Sequence, residues 1–244
     1  MSDHLPLFED AGIHRVLCVV AHPDDMEYGG SAAAARWTAR GIEVSYLLLT
    51  AGEAGMRSRD PEEVATLRAA EQRNACEAVG VTDLSILDFP DGLLEPSLQV
   101  RRAIARRIRQ TRPDVVLTQT WELEVGWGLN HADHRATGIA TVDAMRDADN
   151  PWVHRDLAEQ EGLEPWGAPW LLVHGAQPTH LIDVTGDPLQ RGIASLAAHR
   201  EYIAELGGDF DPRSMLEGMS AEFAQRAAEP GVENAIGVAV HRMV

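Results

Sequence analysis

The sequence predicts an α/β protein, a single Rossmann-like domain with a mostly parallel sheet and helices on both faces. Short apolar runs at 15–21, 43–49, 84–89 and 114–120 have the length and β-branched content of buried parallel strands. Helical stretches at 29–40, 61–79 and 98–111 separate them. Strands alternating with helices in this way are the pattern of a doubly wound sheet. With 244 residues, 45% of them hydrophobic, the chain can fill one sizeable core. One domain over 1–244 is therefore expected, with 147–169, rich in Pro, Trp and acids, as a surface insertion.

Taken in order, residues 1–13 read as a polar arm, followed by the first strand. The helix at 29–40 is Ala-rich and stops at Gly41. The second strand runs into Thr50-Ala-Gly52-Glu53-Ala-Gly55, a Gly-punctuated loop. Asp60-Pro61-Glu62-Glu63 then supplies a cap, a Pro at the first helical position and a capping-box acid. Pro90-Asp91-Gly92 makes a turn after the third strand, and Ser97 caps the next helix. Beyond the fourth strand, a long loop at 121–130 leads to His131-Ala-Asp133-His134, which opens a helix to about residue 145. Strands are expected at 170–173, 180–184 and 235–242. Helices are expected from Asp187 to about residue 206 and from a cap at Ser214.

Composition excludes several functions. The net charge is −17, and all 21 basic residues are Arg. Such a chain repels nucleic acid and anionic lipid, and neither is expected as a partner. Without Lys it has no P-loop lysine and no Schiff-base lysine. Cys18 lies in a strand and Cys76 in a helical pattern, so both are expected as buried thiols. The first residues lack the basic and apolar regions of a signal peptide, and no apolar run reaches spanning length, so a cytoplasmic location is expected.

Chemistry concentrates at two places. The first strand ends in His22-Pro23-Asp24-Asp25, and the loop after the fourth strand ends in His131-Ala-Asp133-His134. With the strands ordered 3-2-1-4-5, the first and fourth are neighbours, and the crevice at their carboxyl ends is where such sheets bind ligands. Each residue has a plain alternative, since Asp24 or Asp25 would also serve as a helix N-cap. Two His and one carboxylate with an open position make a catalytic zinc site, and the same donors accept Fe2+ or Mn2+. A spare carboxylate near such an ion suits a general base, and a spare His suits an oxyanion or a leaving amine.

These two motifs resemble the LmbE/PIG-L family of metal-dependent N-acetylglucosaminyl deacetylases. Thr50-Ala-Gly-Glu-Ala-Gly55, Arg68-x-x-Glu71, Pro90-Asp-Gly92 and Arg112-Pro-Asp-Val-Val116 add to the likeness, which covers about 15–140. The resemblance implies His22, Asp25 and His134 as zinc ligands and Asp24 as the base. It implies His131 as oxyanion or acid partner tuned by Asp133, with Arg68 and Asp91 on substrate hydroxyls. Arg68 would also serve simply as a partner of Glu71 or Glu63 on its helix, and Asp91 as a turn residue. Family members often have Glu directly after the two Asp, whereas here Met26 intervenes before Glu27. They often carry His-x-Ser-Gln late in the chain, whereas here it is His199-Arg-Glu-Tyr202, with His199 expected on a helix surface.

The leading expectation is hydrolysis of an N-acetyl or similar acyl group from an amino-sugar conjugate, a small-molecule substrate. The alternatives are an amidase on a non-sugar amide and a noncatalytic metal- or sugar-binding protein. The second is disfavoured because Asp24, the base, is present. A nucleotide-binding Rossmann protein is disfavoured too, because the first strand leads to no Gly-x-Gly-x-x-Gly turn. A homo-oligomer is admitted. The loops at 121–130 and 147–169 are expected at the cleft mouth, where Trp127 offers a stacking face.

Overall fold

In the computed structural model, which describes residues 4–208 and 210–243, the first apolar run is the central strand β1, Arg15–Val20. It is followed by α1 (Asp25–Gly29), α2 (Ser31–Ala39), β2 (Glu43–Leu48), α3 (Pro61–Val79), β3 (Asp83–Ile86), α4 (Leu98–Thr111) and β4 (Val115–Gln119). A hairpin of β5 (Glu124–Val125) and β6 (Gly128–Leu129) precedes α5 (Ala132–Asp149) and α6 (Arg155–Glu161). Then come β7 (Trp170–His174), β8 (His180–Asp183), α7 (Asp187–Leu196), α8 (Arg200–Leu206), α9 (Pro212–Ala224) and β9 (Ala235–Arg242).

The sheet order is β3-β2-β1-β4-β7-β9-β8. The first five strands are parallel, in the expected order, and β9 joins antiparallel to both β7 and β8. Strand alternation splits the core in two. Cys18, Val20, Leu117 and Leu172 face one side with α2 and α3 residues such as Trp37 and Cys76. Leu17, Val19, Val116 and Leu171 face the other with α4 and α5 residues such as Ile104 and Ala140. Cys18 and Cys76 are buried free thiols.

Four expectations change. Helix starts at Asp25 and breaks at Gly30, where the Met26 methyl fills the space a Cβ would need, 2.5 Å away. The expected helix from Asp187 to about residue 206 is two, α7 and α8, parted at His199, whose ring is wholly buried. His199 is thus no surface residue. The last helix is capped by Asp211, which accepts from the N–H groups of Arg213 and Ser214, with Pro212 in the first turn; Ser214 is not the cap.

The fourth change concerns 147–169. Helix α5 runs away from the site for 18 residues, about 27 Å, and delivers this segment to the opposite, amino end of the strands. There Trp166 Nε1 donates to the Pro113 carbonyl, just before β4, and buried Arg109 donates to the carbonyls of Ala148 and Val153. The segment does not border the cleft. Residues 4–13 are tied to the far sheet edge by Leu7 bridging Leu181; residues 1–3 of the expected arm lie outside the described residues.

Candidate metal and catalytic site

The carboxyl ends of β1 and β4 carry the site, as the topological switch point requires. Pro23 follows the strand, and the chain turns at Asp24 in a left-handed conformation, φ 85°. That backbone costs a non-glycine residue about 1–3 kcal/mol and persists only where surroundings hold it. Its effect is to send Asp24 and Asp25 to different places. Asp25 Oδ2 accepts from the N–H groups of Ala21 and His22, at 3.0 and 2.8 Å, and its Oδ1 lies 3.0 Å from His134 Nε2. Asp24 is held instead against Arg68, with Nη2 at 3.2 Å from Oδ1.

Hydrogen bonds fix which ring nitrogens are free. Asn130 donates its amide N–H groups to the carbonyls of Thr120 and Glu122. Its Oδ1 must then face His134 Nδ1, at 3.1 Å, so Nδ1 carries the proton and Nε2 offers a lone pair. His22 Nε2 lies 2.9 Å from Asp91 Oδ1 and 3.2 Å from Asp133 Oδ2, so it is a donor and Nδ1 is left, 3.4 Å from Asp25 Oδ2. His131 Nδ1 accepts the Asp133 backbone N–H at 3.3 Å, capping α5, which places the proton of the neutral ring on Nε2. The three rings lie with centroids 5.3–5.5 Å apart.

Among the described residues, two groups of three have ligand atoms all within 4.8 Å of one another: His22, His131, His134, and His22, Asp91, Asp133. The second is a hydrogen-bonded set around the His22 donor; the first gathers three imidazoles, and Asp25, in neither group, lies beside two of them, His22 and His134. Burial pulls the His22 pKa down, but Asp25, Asp133 and Asp91 overcome it and hold it well above the ordinary value, so a cation bound at Nδ1 would displace a proton held there. Burial raises Asp25, yet His134 and His22 drive it well below the carboxylate range. Burial pushes Asp24 up to about 7, against the pull of Arg68. His131 is lowered by burial and by the His22 charge beside it. Four carboxylates gathered around His22 with one arginine form a site short of positive charge, and its nitrogen and oxygen donors fit a divalent cation.

The two proposed substrate contacts are placed differently from an open cleft wall. Asp91 sits against His22, with Oδ2 accepting the Ala54 N–H. Arg68 is 3% exposed and donates to the carbonyls of Pro23 and Gly52. The Asp133 carboxylate is spent on His22 and on the N–H groups of Gly92 and Leu94, and it meets His131 only through its backbone.

Sequence reasoning gave no role to Gln72, Asn130 or Glu27 and put His199 on a helix surface. Gln72 Oε1 accepts the Asp24 N–H, and its Nε2 donates to Glu27, beside which His199 is buried at 3.7 Å. His174, at the end of β7, is neutralised by burial, its pKa pushed down to about 4. The one available signal was position: Asn130 directly precedes the second His motif.

A doubly wound sheet with imidazoles and carboxylates converging at its switch point is the arrangement of an α/β enzyme. Residues 17–145 match the family PIG-L, described as GlcNAc-PI de-N-acetylase, and the chain belongs to that family of deacetylases. It is 31% identical over 198 residues to the diacetylchitobiose deacetylase of Thermococcus kodakarensis, covering 79% of this chain and 72% of that protein. It is 32% identical over 253 residues to the 1D-myo-inositol 2-acetamido-2-deoxy-alpha-D-glucopyranoside deacetylase of Kineococcus radiotolerans, covering 78% of this chain and 69% of that protein. The fold is shared with N,N'-diacetylchitobiose deacetylase from Pyrococcus horikoshii, TM-score 0.83 at 23% identity, covering 96% of this chain and 85% of that one. No helix of the described residues is long and apolar enough to cross a membrane.

Proposed function

We propose that this protein hydrolyses the N-acetyl group of an amino-sugar conjugate, with His22 Nδ1, Asp25 and His134 Nε2 holding a zinc ion, or Fe2+ or Mn2+ in its place. The observation that carries the reading is the ring orientation: hydrogen bonds elsewhere on the rings of His22 and His134 turn one nitrogen of each, His22 Nδ1 and His134 Nε2, toward Asp25. A bound divalent ion supplies Lewis acidity, which acidifies water toward a pKa of about 7 and polarises an amide carbonyl. The Asp24 carboxylate accepts the proton of the attacking water at the amide carbon. His131, a neutral ring with Nε2–H as its donor, stabilises charge developing on the carbonyl oxygen. Asp24 passes that proton to the nitrogen as the C–N bond breaks, and acetate and a free amine are the products. Substrate class follows from the relatives, whose names specify acetylated glucosamine conjugates.

Acetate release from diacetylchitobiose, from N-acetylglucosaminyl inositol and from simple acetamides tests this, on chelated protein and after reloading with each metal. Release from the sugar conjugates that vanishes on chelation and returns with a stoichiometric ion is expected. Metal-loaded protein that releases acetate from none of them contradicts the reading; release from simple acetamides alone contradicts the sugar class.

A further inference from the structure

We infer that Arg68 and Gln72 form a clamp on the peptide between Pro23 and Asp24, so that both are positioning residues for the Asp24 carboxylate. The inference deepens the proposed hydrolysis and rests on Asp24 being its base. Arg68 and Gln72 stand four residues apart on α3, so they share one face of that helix. Arg68 Nη2 donates to the Pro23 carbonyl, and Gln72 Oε1 accepts the Asp24 N–H at 3.0 Å. These are the two polar groups of a single peptide, the one that enters the left-handed turn at Asp24. The same Nη2 reaches Asp24 Oδ1 at 3.2 Å, so one guanidinium holds the backbone before the residue and the carboxylate itself.

The clamp is built from several directions. Gln72 cannot flip its amide, because Nε2 donates to Glu27 Oε1 at 3.1 Å, an oxygen that also accepts from Ser195 Oγ at 3.2 Å. Around Arg68, the loop 50–55 leaves the space the guanidinium occupies. A Cβ on Gly52 would lie 2.2 Å from Nη1, and one on Gly55 would lie 2.7 Å from it. Nη1 donates to the Gly52 carbonyl at 3.1 Å. The Tyr202 ring covers the guanidinium, 3.9 Å from its central carbon to the ring centroid.

Arg68→Met, Gly55→Ala and Gln72→Met test the clamp in metal-loaded protein. Gly55→Ala keeps the arginine and crowds its Nη1. For Arg68→Met, kcat should fall about a hundredfold, the scale of loss from a misplaced catalytic group, with KM changed less than about twofold and metal content intact. In the Asp24→Asn background the same change should cost less than about threefold, because the group it positions is already disabled. Losses that are additive in the two backgrounds, with KM raised in both, overturn the proposal and leave Arg68 a role independent of Asp24. Should Arg68→Met fail to fold, the other two variants carry the same comparison. Amide hydrogen exchange at Asp24 reads the clamp without any activity and should quicken at least about tenfold in Gln72→Met. Unchanged exchange overturns the clamp. Wild-type protein inactive on every amide overturns the proposed hydrolysis while leaving this exchange result to be judged by itself.

Discussion

At the scale of the residue, Asp24 and Asp25 are chemically identical neighbours that the fold assigns to different surroundings. One positive φ turns them apart, so Asp25 faces two imidazoles and Asp24 faces a guanidinium. The density of His and Asp at 22–25 was plain in the sequence because those residues are adjacent. The partners that hold them were not, since Gln72 is 48 positions from Asp24 and His199 is 172 from Glu27 (199 − 27), and no local pattern marks such pairs. His199 shows the physical reason. A His after an Ala-rich helical stretch reads as surface, but the helix breaks there and the ring turns into the core. Burial lowers its pKa, and the Glu27 carboxylate beside it raises it by more, so the net direction is upward. A native value above the unfolded one means that the pair's stabilisation is complete below about 6.5 and is lost as pH rises through the native value. The Tm of wild type minus that of His199→Asn should therefore be largest below about pH 6.5 and shrink above it, measured by thermal melts across pH. A difference independent of pH would falsify this assignment of the proton.

At the scale of the element, strand positions were legible wherever apolar runs were short and bounded by Gly, Pro or Asp, and α3 was legible from its cap and its terminal Gly80. The break at His199 was hidden because helical propensity continues through Ala197, Ala198 and His199 while packing does not; α1 was hidden because its five residues, ending in Gly29, are too few for a helical period. The hairpin of β5 and β6 was hidden as well: each strand has two residues, too few for any periodic signal. It nevertheless matters for substrate. Trp127 lies between its strands, 66% exposed, with its ring edge over Gly175, the residue after β7's His174. A Cβ at Gly175 would lie 2.9 Å from that ring. The hairpin thus presents an indole with an open face beside the site, a surface suited to stacking on a sugar ring. Trp127→Ala should raise KM for the sugar conjugates by up to about tenfold while kcat changes little. Steady-state kinetics on diacetylchitobiose and on a small acetamide separate the cases: equal KM changes for both would contradict a sugar platform.

At the scale of the whole molecule, sheet order determines function. Placing β1 next to β4 brings His22 and His134 together across more than a hundred residues of chain, and this juxtaposition was predictable because parallel βαβ units leave few topologies. The final strands were legible as strands but not as antiparallel, because nothing in an eight-residue apolar run reports direction. The insertion at 147–169 was misjudged for a geometric reason: closeness in sequence to the second His motif is undone by the length of α5. The central claim is a division of labour within four residues, with His22 and Asp25 on the ion and Asp24 on the proton. Asp24→Asn, assayed for bound metal, for affinity toward N-acetylglucosamine and for acetate release, tests it most directly. The account predicts a stoichiometric ion, unchanged affinity and turnover lower by about a hundred- to ten-thousandfold, the range for loss of a general base. A variant that loses its metal, or that keeps most of its turnover, would contradict it.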